Sequence, residues 1–116
     1  LGYNTNAYCA AKGGLLMLTK SLAQEWAKYN ITVNGIAPGY FPSELTGAYI
    51  HTPEFKKVCE DYSPMGRPGI TGEMDGLCIY LASDASSFTT GQMIAVDGGW
   101  LTICHRCGPR HWLRFF

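Results

Sequence analysis

From Ala7 to Tyr29, apolar residues recur at helical spacing: Leu15, Leu18, Leu22 and Trp26, joined by Ala11 and Ala23. Lys20, Gln24, Glu25 and Lys28 supply the wetter side, so the segment reads as one long amphipathic helix. Asn4, Thr5 or Asn6 can cap its start, each offering a side-chain oxygen to an orphan backbone N–H. Asn30 tolerates the left-handed conformation that ends a helix. A brief β-branched run, Ile31-Thr32-Val33-Asn34-Gly35-Ile36-Ala37, follows at once and reads as a strand. A strand arriving straight after a long helix indicates a β-α-β unit, and with it an α/β fold built on a parallel sheet. Gly13 and Gly14 lie inside the helix at a cost of roughly 1 kcal/mol each relative to Ala. Their small size predicts that a neighbouring backbone approaches there.

The remaining segments follow the same rules. Pro38-Gly39-Tyr40-Phe41-Pro42-Ser43-Glu44 must turn away from the strand. In open parallel sheets ligands bind at the carboxyl ends of strands, and this loop leaves from such an end with its backbone amides available. An ordinary strand–helix connection would carry the same residues. Pro53 suits the first turn of a helix through Glu54–Glu60. With few apolar positions, Leu45 to Ser63 is expected to be a surface or lid element rather than core. Ser63 to Gly69 is a loop by its Pro and Gly content. Thr71 is expected to cap the next helix, with Glu73 and Asp75 in its first turn and Met74, Leu77, Cys78 and Leu81 facing inward. Phe88 and Thr90-Gly91 lead into a last strand, Met93-Ile94-Ala95-Val96, closed by Asp97-Gly98-Gly99.

Composition narrows the function classes. The 116 residues suit one small domain, and 47% hydrophobic content places the chain among globular proteins. Nine basic residues balance nine acidic ones, so nothing in the net charge points to a nucleic-acid partner. No apolar run approaches the roughly 20 residues that span a bilayer, so no membrane role is expected. The chain opens on Leu1 without a charged-then-apolar leader, which predicts that it is cut from something longer or starts inside a domain. Five cysteines, odd in number and irregularly spaced, read as reduced thiols of a cytoplasmic protein rather than a disulfide framework.

The chemistry-bearing candidates are Tyr8 and Lys12. On a helix they stand one turn apart on the same face. A phenol titrates near about pH 10 and is a poor acid or base at neutrality. A fixed positive charge within about 4–6 Å favours the phenolate and moves the group toward the working range of a general acid–base. Any helix can carry a Tyr and a Lys at this spacing, with the phenol packed and the amine solvated; the downstream residues decide between these readings.

Those residues are Tyr8-x-x-x-Lys12 followed by Gly13, Asn34-x-x-x-Pro38-Gly39, Pro64-x-Gly66-Arg67, Leu81-Ala82-Ser83-Asp84, Thr90-Gly91 and Val96-Asp97-Gly98-Gly99. In this order and at this spacing they resemble the C-terminal half of a short-chain dehydrogenase/reductase. The resemblance covers Ala7 to Trp100, so residues 1–100 are expected to form the C-terminal portion of a Rossmann-type doubly wound parallel sheet, with two strands and about three helices. It implies hydride transfer between a secondary alcohol and a carbonyl with NAD or NADP as cofactor. Tyr8 would be the general acid/base. Lys12 would assist it and hydrogen-bond the nicotinamide ribose. Pro38, Gly39, Phe41 and Ser43 would lie against the nicotinamide, Phe41 offering its backbone amide and Ser43 a hydroxyl where the family often has Thr. Leu45 to Tyr62 would be the lid that selects substrate. The wording around Glu25–Asn30 and Pro38–Phe41 looks most like gluconate 5-dehydrogenases, while reductases of 3-oxoacyl carrier-protein thioesters share most of it. A sugar acid, polyol or oxoacyl substrate and a homo-oligomeric intact protein are implied.

The sequence also departs from the family pattern. The glycine-rich phosphate loop is absent, and the serine that helps polarise the substrate carbonyl lies further upstream than this sequence reaches. The chain alone is therefore expected to bind the dinucleotide poorly, and a two-stranded sheet with an open edge is expected to be marginal. An alternative is a catalytically silent chain acting only through subunit-type association. Residues 101–116 form a basic, aromatic tail outside the family pattern. Cys104, Cys107 and His111 could supply three zinc ligands where a closed structural site needs four, so no metal site is assigned.

Overall fold

The computed structural model describes residues 5–44 and 46–102. In chain order these form helix α1 (Asn6–Trp26) with a 3-10 turn at Ala27–Tyr29, strand β1 (Gly35–Pro38) and a 3-10 turn at Gly47–His51. Helix α2 (Pro53–Tyr62), helix α3 (Asp75–Leu81), a 3-10 turn at Asp84–Ser86, strand β2 (Met93–Val96) and a 3-10 turn at Trp100–Thr102 follow. β1 and β2 pair in a two-stranded sheet. Gly35 N donates to Gln92 O at 2.8 Å, and Gly39 N donates to Val96 O at 2.9 Å. Partners advance in the same direction along both strands, so the pair is parallel, as expected from the helix–strand junction. The chain divides into two units, one holding residues up to Ile36 with Leu77–Ile94, the other Ala37–Gly76 with residues from Ala95 onward.

In the first unit, Thr5 stands at the N-cap of α1, and the helix tightens into its 3-10 turn before Asn30 takes the left-handed conformation at φ 60°. The face it buries takes in only part of the predicted stripe, Ala23 and the half-buried Leu22. Thr19 and Ala23 are its buried residues, whereas Leu15, Leu18 and Trp26 remain 49%, 50% and 37% exposed. A Cβ on Gly35 would stand 3.8 Å from Thr19 Oγ1 and one on Gly91 3.4 Å from Ala23 Cβ, ordinary contact distances, while the tight neighbour of Gly35 is the Met93 side chain at 2.6 Å. Small residues on the helix meet glycines, and the apolar stripe is wider than the face that the described residues cover. Gly13 and Gly14 have no described neighbour within reach of a Cβ, so no described residue makes the backbone approach expected there.

The predicted strand Ile31–Ala37 is shorter in the structure because side chains replace ladder bonds at its start. Asn34 Nδ2 donates to Thr89 O at 2.8 Å, while its Oδ1 accepts from Gln92 N at 3.1 Å. Val33 N donates to Thr90 Oγ1 at 3.0 Å, and Gly91 N donates to Val33 O at 2.7 Å. Asn34 and Thr90-Gly91 are thus partners that align β1 with β2.

In the second unit, Thr52 caps α2 by accepting from Phe55 N at 3.2 Å, and Pro53 opens the helix as expected. The expectation of a surface or lid element rather than core at Leu45–Ser63 is corrected in part: Ile50, Phe55 and Cys59 form a buried cluster at 3%, 3% and 1% exposure. These three converge on one side, while Tyr49 and Tyr62 stay exposed. Phe55 meets the rings of Tyr40 and Tyr49 edge-on at 5.0 and 5.2 Å, and Tyr40 meets Trp100 at 5.0 Å. α3 starts at Asp75 rather than after Thr71, because Gly72 at φ 95° leaves the helical region. On α3, Cys78 is exposed, while Leu77 and Leu81 are half-buried.

Candidate active site

Tyr8 and Lys12 occupy the first two turns of α1 in the first unit. Both are exposed, Tyr8 by 61%, and the Lys12 ammonium stands 5.5 Å from the centroid of the Tyr8 ring. The helical register alone gives this geometry, because side chains one turn apart stack along one face. A cation at such a distance over an aromatic face is attracted to it, by roughly 0.5–1 kcal/mol at exposed sites. The pair therefore reaches solvent together, with phenol and ammonium both accessible to a bound molecule.

The Pro38–Ser43 bend belongs to the second unit. Pro38 is the last residue of β1 and exposed; lacking an N–H, it cannot extend the ladder. Gly39 continues the pairing to Val96. Phe41 O accepts from Thr46 Oγ1 at 3.0 Å, and among the described residues no acceptor engages the Phe41 N–H. Ser43 folds back on the same threonine: its N donates to Thr46 Oγ1 at 2.9 Å, and its Oγ accepts from Thr46 N at 3.2 Å. The Ser43 and Thr46 hydroxyl oxygens also stand 3.2 Å apart, within hydrogen-bond reach of each other. The bend thus presents a backbone amide with no acceptor among the described residues and a hydroxyl pinned to Thr46.

Thr46 was not singled out in the sequence, although Ser43-x-x-Thr46 is the spacing at which two hydroxyl residues trade backbone bonds. Nor was the pairing of Arg67 with Glu73, although the loop that carries Arg67 was. Arg67 Nη1 and Nη2 donate to Glu73 Oε2 and Oε1 at 3.0 and 2.6 Å, and Ile70 N donates to Oε2 at 2.8 Å. The hydrogen bond from Arg67, then that from Ile70, pulls the Glu73 carboxyl down to about 2. The same pairing raises Arg67. Tyr40, Phe41, Met65, Arg67, Asp97 and Trp100 are among the residues that line a cleft of about 220 Å³ in this unit. Cys59 lies at its floor, its thiol pushed up by burial and then by the charge of Glu60. Asp97 accepts from Gly99 N and Leu101 N, both at 2.9 Å, folding the turn after β2. Among the described residues no group of His, Cys, Asp and Glu is arranged to hold a metal ion; Cys104, Cys107 and His111 lie outside the described residues.

A family model described as enoyl-(acyl carrier protein) reductase matches residues 2–101. The solved structure of a gluconate 5-dehydrogenase from Burkholderia cenocepacia, in complex with NADP and tartrate, superposes with a TM-score of 0.79 at 42% identity, over 85% of this chain and 39% of that one. The chain belongs to the short-chain dehydrogenase/reductase family. Among the family's curated members, the 2-dehydro-3-deoxy-D-gluconate 5-dehydrogenase of Formosa agariphila is 46% identical over 103 residues, covering 87% of this chain and 39% of that protein. The galactitol 2-dehydrogenase of Cereibacter sphaeroides is 42% identical over 95 residues, covering 82% of this chain and 37% of that protein. The chain therefore spans about two fifths of the length of these short-chain dehydrogenase/reductase relatives. Its two parallel strands and three helices are part of the family's Rossmann-type α/β fold. No helix among the described residues is long and apolar enough to cross a membrane.

Proposed function

We propose that the protein is an NAD(P)-dependent oxidoreductase that interconverts a secondary alcohol and a carbonyl, with Tyr8 as general acid/base and Lys12 as its assistant. The observation that carries this is the Lys12 ammonium held 5.5 Å from the Tyr8 ring centroid on an exposed helix face. When bound, the nicotinamide cofactor supplies or accepts the hydride. In the direction of reduction the Tyr8 O–H donates its proton to the carbonyl oxygen as negative charge develops there; in oxidation the phenolate takes the alcohol proton. The Lys12 N–H donors suit ribose hydroxyls beside that phenol. The Phe41 N–H and the Ser43 hydroxyl would engage the carboxamide. Pro38 and Gly39 give the bend its shape.

The names of the Formosa and Cereibacter enzymes support a sugar acid or polyol as substrate. Exposed apolar residues on α1, Leu15, Met17 and Leu18 among them, suit a homo-oligomeric protein. The same exposure favours, as a second reading, a silent chain that acts by association alone. Turnover separates the two. Tyr8→Phe in the complete gene product is expected to lower kcat by about 10²–10⁴-fold with the fold unchanged. Turnover undiminished by that change removes Tyr8 from the role.

A further inference from the structure

The loop from Arg67 to Glu73 touches the Pro38–Ser43 bend at one peptide. Gly69 N donates to Tyr40 O at 2.9 Å. Its α carbon lies against the neighbouring ring, since a Cβ there would stand 2.5 Å from Phe41 Cε1 and Cζ. Tyr40 C=O and Phe41 N–H belong to the same planar trans peptide and point in opposite directions. A donor fixed on the carbonyl therefore fixes where the N–H points. Accepting at the oxygen also polarises the peptide and strengthens the N–H as a donor.

Gly69 is held in place by ion pairing around it. The two parallel Arg67–Glu73 bonds close the loop, Ile70 N joins the same carboxylate, and Arg67 Nη1 also donates to Pro68 O at 3.0 Å. Glu73 N donates back to Ile70 O at 3.2 Å. The two residues flanking Gly69, Pro68 and Ile70, are thus each tied to the pair. A planar guanidinium on a carboxylate gives this loop one shape, which a single-point ammonium would not.

We propose that Arg67 and Glu73 are positioning residues for the nicotinamide site: their ion pair seats Gly69 on the Tyr40–Phe41 peptide and so aims the Phe41 N–H at the cofactor carboxamide. This rests on the reading of Phe41 given above, and its test reports on the two separately. In the complete gene product, Glu73→Gln removes the charge and one of the two parallel bonds, and Arg67→Lys keeps the charge but loses the fork. For both, hydrogen exchange at the Gly69 amide is expected to quicken by about tenfold, the magnitude of one ordinary hydrogen bond. The KM for NAD(P)H is expected to rise by about the same factor, with kcat and the substrate KM changed much less. A merely structural loop would move kcat and both KM values together, which would overturn the proposal. Unchanged exchange at Gly69 would overturn the ion pair's hold whatever the cofactor does. Faster exchange with an unchanged cofactor KM would contradict the carboxamide reading of Phe41 and the proposal built on it. Should Glu73→Gln fail to fold, Arg67→Lys gives the same readouts.

Discussion

Gly39 faces Asp97 with no room for a side chain: a Cβ on it would stand 2.8 Å from Asp97 Cα and 3.0 Å from Asp97 Cβ. The clash is with backbone, which cannot swing aside as a side-chain tip can. The glycine that follows Pro38 therefore has a packing reason, seated where β1 and the turn after β2 run side by side.

Gly39→Ala should accordingly destabilise the protein by about 1–3 kcal/mol, the usual cost of forcing atoms into a packed site. Urea unfolding of the complete gene product measures this. An unaltered midpoint would mean that Asp97 has slack to give.

The cluster under α2 makes a second prediction. Phe55 is 3% exposed and meets two tyrosine rings. Phe55→Ala removes most of a buried ring and should cost about 3–5 kcal/mol. A change below about 1 kcal/mol in the same unfolding experiment would contradict its place in the core.

The Arg67–Glu73 pair sets a pH dependence. The folded state holds the Glu73 carboxyl at about 2, below its ordinary value of 4.5. A carboxyl depressed in this way stabilises the fold in full above its ordinary value. That contribution fades as pH falls from 4.5 toward about 2. Exchange protection of the Ile70 amide, which donates to Glu73 Oε2, should therefore persist at pH 4 and disappear only toward about pH 2. Loss centred on the ordinary carboxylate value would show that the pair does not hold Ile70.

Much of the fold was legible from local chemistry. Pro53, the left-handed Asn30 and the strand Met93–Val96 stand where their residue types demand. What was not legible depended on partners distant in sequence. The buried residues of α1, Thr19 and Ala23, have Gly35 and Gly91 among their neighbours, partners that helical periodicity cannot reveal. The α2 region looked like surface because its apolar residues are few, yet Ile50, Phe55 and Cys59 converge once the 3-10 turn and helix are folded. Of the candidate site, Tyr8 and Lys12 were readable because one helix carries both. Thr46 and the Arg67–Glu73 pair were not, since their partners lie across loops.

The exposed apolar side chains carry a further expectation for the 116 residues on their own. Met17, Ile79 and Phe88 are 62%, 68% and 104% exposed, and the sheet has two strands. Such a chain should associate or unfold without a sharp transition. A monomer by light scattering that melts cooperatively would contradict this.

The most direct measurement is NAD(P)H-linked turnover of the complete gene product and its Tyr8→Phe variant on a sugar acid or polyol, both shown by circular dichroism to be folded. A drop of about 10²–10⁴-fold in kcat, with the cofactor KM little changed, is the result expected if the Tyr8 phenol moves the proton. Equal turnover of the two proteins would contradict it.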